Sequence, residues 1–236
     1  MAMIVQKVIS WRLSKWGWFH LTRFHDVENG FWSLSHDLLK RVLAPPFVVG
    51  KKAAELAQAR FTDATVTVDW GTRDATDLRV GEGGMPGDHA GPRYFNRGYG
   101  EVVGRAFSRY HSLGSNARLL IARCPISDKL VNVRLTLFVD DAAGKAIGRS
   151  GPEMVEEAEL DQECLEGELL DAGAVDNKEK QEHIIDGPSR DEVRRLYGLS
   201  LDGKPSVDSR YLGGRHTQNL GFTAERSRRI LAARRG

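Results

Sequence analysis

Residues 11–25 read Trp11-Arg-Leu-Ser-Lys-Trp-Gly-Trp-Phe-His-Leu-Thr-Arg-Phe-His25, and the same character runs on to Trp32 and His36. Four of the five tryptophans and three of the seven histidines of the 236-residue chain fall in this stretch. Before it, residues 3–13 are β-branched and partly alternating, with Ile4, Val8 and Ile9 as apolar positions, which predicts a first strand. After it, Leu34, Leu38, Leu39, Val42 and Leu43 recur at the spacing of a buried helical face. Ser33 or Ser35 caps that helix and Pro45-Pro46 stops it. The cluster is thus expected at the junction of a first strand and a first helix, with much of its aromatic content in the core.

Farther along, Lys51–Arg60 reads as an alanine-rich helix and Thr65–Trp70 alternates as a strand. Residues 81–100 hold seven glycines together with Pro86 and Pro92, the composition of a long loop. Ala117–Ala122 and Leu130–Val139 read as strands of a hairpin turning through Pro125, Ser127 and Asp128. Glu153–Leu170 reads as an acidic helix and Asp176–His183 as a polar linker. Ser189-Arg-Asp-Glu192 has capping-box spacing for a short helix through Tyr197 that Gly198 closes. Residues 200–221 read as loop, and Thr223–Arg235 as a basic terminal helix. This order predicts an α+β fold with an antiparallel or mixed sheet, comprising a core domain over 1–150 and a helical, loop-rich region over 151–236. A doubly wound parallel sheet is disfavoured, because strand–helix alternation is not sustained and no Gly-x-Gly-x-x-Gly turn follows a strand.

The net charge of +2 conceals segregation. Residues 1–60 carry nine basic and four acidic side chains, residues 153–176 ten acidic and no basic, and residues 204–236 eight basic and two acidic. Basic ends around an acidic block point to a polyanion-facing surface, or to solvated faces with an internal acid–base contact. No apolar run reaches the roughly 18 to 20 residues of a membrane span. The start lacks secretory-signal character, and two cysteines, Cys124 and Cys164, fit a reduced compartment. An intracellular, cytoplasmic protein is expected.

Three groups can carry chemistry. His20, His25 and His36 include candidate general bases or acids near neutrality, and Arg23 can stabilise a phosphate's charge; cleavage of RNA at its own 2′-hydroxyl needs little more. The opposing reading makes these histidines packing residues. Arg93, Tyr94, Arg97, Tyr99, Arg105 and Arg109 interleave cations with aromatic rings, and only Glu101 is acidic between Arg93 and Arg123. Such a set pairs with phosphates and stacks on unpaired bases. At the end of the chain, Arg215 and His216 follow a glycine pair, and Arg226, Arg228 and Arg229 extend the basic surface. The acidic block has no accompanying metal motif, so neither a metal nor another cofactor is expected.

Lys7-Val-Ile-Ser-Trp-Arg12 and Phe24-His25-Asp-Val-Glu-Asn-Gly-Phe-Trp32 resemble the repeat-associated (RAMP-type) RNA-binding proteins of CRISPR systems. Lys15-Trp-Gly-Trp-Phe-His-Leu-Thr-Arg23 is similar to the opening of a second branch of that group, and Tyr211-Leu-Gly-Gly-Arg215 to a glycine-rich element. The resemblance implies a ferredoxin-like domain, RNA as partner, and a catalytic histidine near the first helix. It covers about the first forty residues, and no full glycine-rich loop of the family's pattern follows. The expectation is an RNA- or single-strand-binding subunit of an RNA-guided complex, with other protein subunits as partners and endoribonuclease activity at His25 or His20. An assembly protein of a virus or large complex, and a small-molecule enzyme lidded by residues 81–100, are the rivals.

Overall fold

The computed structural model describes residues 2–44, 50–62, 64–69, 71, 75–81, 83, 91–113, 120–124, 127–138, 141–199, 201–211 and 214–217. The expected basic helix Thr223–Arg235, with Arg226, Arg228 and Arg229, lies outside them. In chain order the elements are α1 (Ala2–Lys15), β1 (Phe19–Asp26), α2 (Gly30–Ser33), α3 (His36–Val42), α4 (Lys51–Ala59), β2 (Thr65–Asp69), β3 (Ala75–Arg79) and α5 (Gly91–Leu113). They continue as β4 (Ile121–Arg123), β5 (Leu130–Asn132), β6 (Leu135–Phe138), β7 (Asp141–Gly148), α6 (Gly151–Asp171), β8 (Glu182–Asp186), α7 (Arg190–Leu196), β9 (Lys204–Pro205), β10 (Asp208–Tyr211) and β11 (Gly214–Thr217). The fold is α+β.

The main sheet has the order β6-β7-β1-β8-β9. Its first three pairings are antiparallel, and β8 with β9 is parallel, so the sheet is mixed. Without β9, the succession β1, helix, β6, β7, helix, β8 in that spatial order is the split β-α-β of a ferredoxin-like domain. Two compact units form. One comprises residues 1–26, 110–163 and 177–236 and the other residues 27–109 and 164–176, so both expected segments, 1–150 and 151–236, enter each unit.

Several expectations need correction. The predicted first strand at 3–13 is helix α1, because Gln6, Ser10 and Leu13 are buried on one side of a helix while Val8 and Trp11 are exposed on the other. The second half of the aromatic–histidine stretch, from Phe19, is the central strand β1, with burial on both faces, while Trp11 lies in α1. The expected loop over 81–100 ends by Gly91, where α5 begins. Phe95, Tyr99, Val102, Ala106 and Tyr110 form that helix's buried stripe. Gly98 belongs to the packing: a Cβ there would stand 2.8 Å from the Leu34 Cδ1 methyl and 3.4 Å from Leu39 Cδ2. Leu130–Val139 holds two strands, β5 and β6, and the loop expected over 200–221 contains β9, β10 and β11.

Helices α3, α4, α6 and α7 and strand β2 are where the sequence puts them, whereas β3, β7 and β8 were not foreseen. Ser35 caps α3, its hydroxyl accepting from Leu38 N, and Ser189 caps α7 by accepting from Glu192 N. The Glu192 carboxylate accepts from Gly151 N at 3.1 Å and so satisfies a donor at the start of α6. In the first unit, Phe19, Leu21, Ala146, Met154, Ala158, Ile185, Val193 and Leu196 form a core cluster. Each large side chain in it contributes about 1.5 to 3 kcal/mol on burial.

Candidate functional site

Strand β1 runs antiparallel between β7 and β8, and its register with β7 ends at the pair Asp26 and Asp141. Toward β6, Phe138 pairs with Asp141, so Val139 and Asp140 connect the two strands; they lie outside the described residues. Directly opposed residues of an antiparallel pair have Cα atoms about 4.5 to 5.5 Å apart. Two carboxylate residues 115 positions apart in sequence thus share one register position at the end of the two central strands. Among the described charges, the Lys180 ammonium faces Asp26 Oδ2 at 3.3 Å. Asn177 N donates to Asp26 O at 2.7 Å and ties the end of β1 to the segment before β8.

The sequence reading missed this pair because it weighed acids only in the block 153–176. The signal available was Phe138-Val139-Asp140-Asp141, two adjacent aspartates ending an otherwise apolar strand prediction. Acids at that point are disfavoured by strand propensity, so their presence calls for another reason.

The histidines expected to act in catalysis sit differently. His20, Arg23 and His25 are all buried within β1, at 2%, 4% and 4% exposure. Arg23 Nη1 donates to Ala158 O and to Gln162 Oε1, both at 2.9 Å. The Gln181 amide donates to Gln162 Oε1 at 3.3 Å and lies 3.1 Å from His25 Nδ1. Arg23 and His25 therefore belong to a buried, amide-lined network beneath α6. His183 lies beside this network, and burial together with the Arg23 guanidinium lowers its pKa to about 4. His36 is half-buried, bonded through Nε2 to Gly83 O at 3.1 Å and tilted against Phe61.

Arg93 and Arg97 occupy the exposed side of α5, and Arg109 is exposed farther along it. Tyr94 is half-buried, its ring edge-on to Phe61. Tyr99 is 1% exposed and stacked on Phe95, so it presents no ring face to a base. Arg105 is held by Glu168 at 2.7 Å, an ion pair that competes with any phosphate. Arg215 and His216 lie in β11, paired with Arg210 and Ser209 of β10. Part of the acidic helix faces inward. Glu157 is buried and accepts from the Tyr110 hydroxyl and, at 3.2 Å, from Arg134 Nη1. Burial and the neighbouring Asp161 push its pKa up to about 7.

No family model and no curated protein sequence matches the chain. A solved structure does: apo telomerase from Candida tropicalis, truncated from its C-terminal domain. It superposes with a TM-score of 0.58 at 17% identity, over 91% of this chain and 38% of that one. The chain shares a fold with that structure and spans well under half its length. Among the described residues no group of three histidine, cysteine, aspartate or glutamate side chains gathers as a metal site, and no helix is long and apolar enough to cross a membrane.

Proposed function

We propose that the chain is the palm of an RNA-binding polymerase, carrying out divalent-metal-dependent nucleotidyl transfer on an RNA template. The observation that carries this is the shared register position of Asp26 and Asp141 at the end of the central strands of a ferredoxin-order sheet. The fold shared with a telomerase supports the class of template.

The donor chemistry fits a hard cation. Magnesium is commonly held by one or two carboxylates together with substrate phosphates, so two aspartates suffice without a third protein ligand. Asp26 and Asp141 would hold it, with Asp140 adjacent in sequence. Such a metal supplies charge stabilisation for the attacking and leaving oxygens of a displacement at phosphorus. Lys180 balances Asp26 in the protein by itself. This reading replaces the expectation of no cofactor. Arg93, Arg97 and Arg109 are the exposed arginines of the arginine–tyrosine stretch that would take phosphates.

The test is extension of a DNA primer on an RNA template with magnesium or manganese. Nucleotide incorporation that is lost in Asp141→Asn and Asp26→Asn, with template binding retained, is the expected result. Incorporation unchanged in both variants rejects the reading. The second reading is a guide-RNA-binding or processing subunit, favoured by the ferredoxin strand order that the CRISPR resemblance implies. It requires metal-independent RNA cleavage that His25→Ala or His20→Ala abolishes.

A further inference from the structure

Helix α1 is turned against the usual sense of amphipathicity. Among the described side chains its inward side is mostly polar: Gln6 and Ser10 are fully buried, with Leu13 a buried apolar residue beside them. Gln6 Nε2 donates to Thr136 Oγ1 at 2.5 Å, Ser10 Oγ accepts from Lys145 Nζ at 2.6 Å, and Ser14 Oγ donates to Asp186 Oδ2 at 3.0 Å. Its outward side carries Val8 at 45% exposure and Trp11 at 52%, with Trp16 at 66% just past its end. Arg12 and Lys15, both exposed, lie on the same side. At 100° per residue, positions 8, 11, 12, 15 and 16 span an arc of about 140°, clear of the arc that holds 6, 10, 13 and 14.

A helix placed only for stability buries its indoles. Burying an aromatic side chain yields roughly 1.5 to 3 kcal/mol, whereas a buried glutamine or serine contributes only through the hydrogen bonds it makes. Leaving two tryptophans in water while burying Gln6 and Ser10 is therefore an arrangement that binding, not folding, accounts for. The charges select the partner. α1 contains no acidic residue, and both cations on its outward side flank the indoles. Trp18, half-buried at the turn after α1, has the Arg149 guanidinium 5.6 Å above its ring and adds a further cation beside an indole. Alternating indole faces and phosphate-binding cations match unpaired bases on a polyanionic backbone; a duplex keeps its bases stacked on each other.

We propose that Trp11, Arg12, Lys15 and Trp16 form a single-stranded RNA platform on the outward face of α1. It deepens the polymerase reading by naming where an unpaired strand is gripped, and rests on that reading only for the class of ligand.

The experiment is fluorescence anisotropy of a labelled oligouridylate of about ten nucleotides, a length within the footprint of single-strand-binding domains. It is run on the full chain with EDTA, so that no catalytic metal takes part. Trp11→Ala with Trp16→Ala weakens binding roughly tenfold or more, since each stacked base is lost as a unit. Arg12→Gln with Lys15→Gln flattens the dependence of log affinity on log salt by about 1.4 for the two cations. Thermal melts of both variants match the parent, because all four side chains are exposed. Unchanged affinity in the tryptophan pair overturns the proposal. So does a self-association of the parent, or a binding to anionic vesicles, that the same pair of substitutions abolishes while RNA affinity stays constant. Asp141→Asn is carried in parallel: if it retains oligouridylate binding and the parent shows no primer extension, the platform stands while the polymerase reading falls.

Discussion

Lys145 donates from Nζ to Thr22 Oγ1 at 2.5 Å, joining the directly opposed residues of β7 and β1 beneath α1. Ser10 Oγ accepts from the same ammonium at 2.6 Å, and Lys145 is fully buried. Burial lowers the Lys145 pKa from 10.5 to about 7, against the opposing pull of Asp186. A base with a depressed folded pKa binds fewer protons in the native state than in the unfolded one between those two values. Stability therefore rises with pH from about 7 to about 10.5, by up to about 1.4 kcal/mol per pH unit from this group. Urea unfolding at several pH values in that window shows the rise in the parent and its loss in Lys145→Met.

Arg134 and Glu157 make a second buried polar centre. The Arg134 guanidinium lies 4.1 Å over the Tyr110 ring and also donates to the Tyr110 hydroxyl at 2.5 Å. Arg134→Met leaves Glu157 buried without its cation and costs about 3 to 5 kcal/mol near pH 8. Glu157 already has a pKa raised to about 7, so it binds a proton in the native state at pH values where the unfolded chain has lost it. Its contribution is most favourable below the unfolded value of 4.5 and is lost as pH climbs through 7. The variant's deficit consequently shrinks at pH 5.5, where Glu157 is neutral. Melting temperatures of parent and variant at pH 5.5 and 8 measure the difference.

Two glycines of α5 separate packing from propensity. Gly98→Ala pushes a methyl against Leu34 and Leu39, which are buried with little room to shift. Overpacking outweighs the better helix propensity, and the net loss is about 1 kcal/mol or more. Gly104→Ala meets nothing within 4 Å and gains about 0.5 to 1 kcal/mol. Were residues 91–100 a loop, the two substitutions would not diverge; chemical denaturation of both distinguishes the cases.

These residues also explain what sequence could and could not reveal. The capped helices α3 and α7 and the alternating strand β2 announce themselves, because Ser35, Ser189 and the alternation of Val66 and Val68 act locally. α1 misleads because apolar periodicity is read as the buried side, whereas here glutamine and serine face inward and tryptophan faces water. β1 misleads because a strand buried on both faces has no alternation to detect, and its burial extends to His20, Thr22, Arg23 and His25. The acidic helix α6 was legible as a helix, but not the inward turn of Glu157, which depends on Tyr110 and Arg134 arriving from other elements. Asp26 and Asp141 become one site only through the β1–β7 register, a long-range fact that no local motif encodes.

The Lys180 contact supplies a final test of that site. Its side chain is 69% exposed against 28% for Asp26, so their 3.3 Å ion pair adds under about 1 kcal/mol to stability. Removing it leaves the fold intact while deleting a cation that competes for the carboxylate a divalent metal would use. Lys180→Met is expected to raise manganese affinity several-fold with a melting temperature close to that of the parent, and Asp26→Asn to lower it. Manganese binding followed by the loss of its free-ion paramagnetic resonance signal reads both without reference to catalysis. Equal affinity in the parent, Lys180→Met and Asp26→Asn would remove Asp26 from the metal site, whatever the outcome of the extension assay.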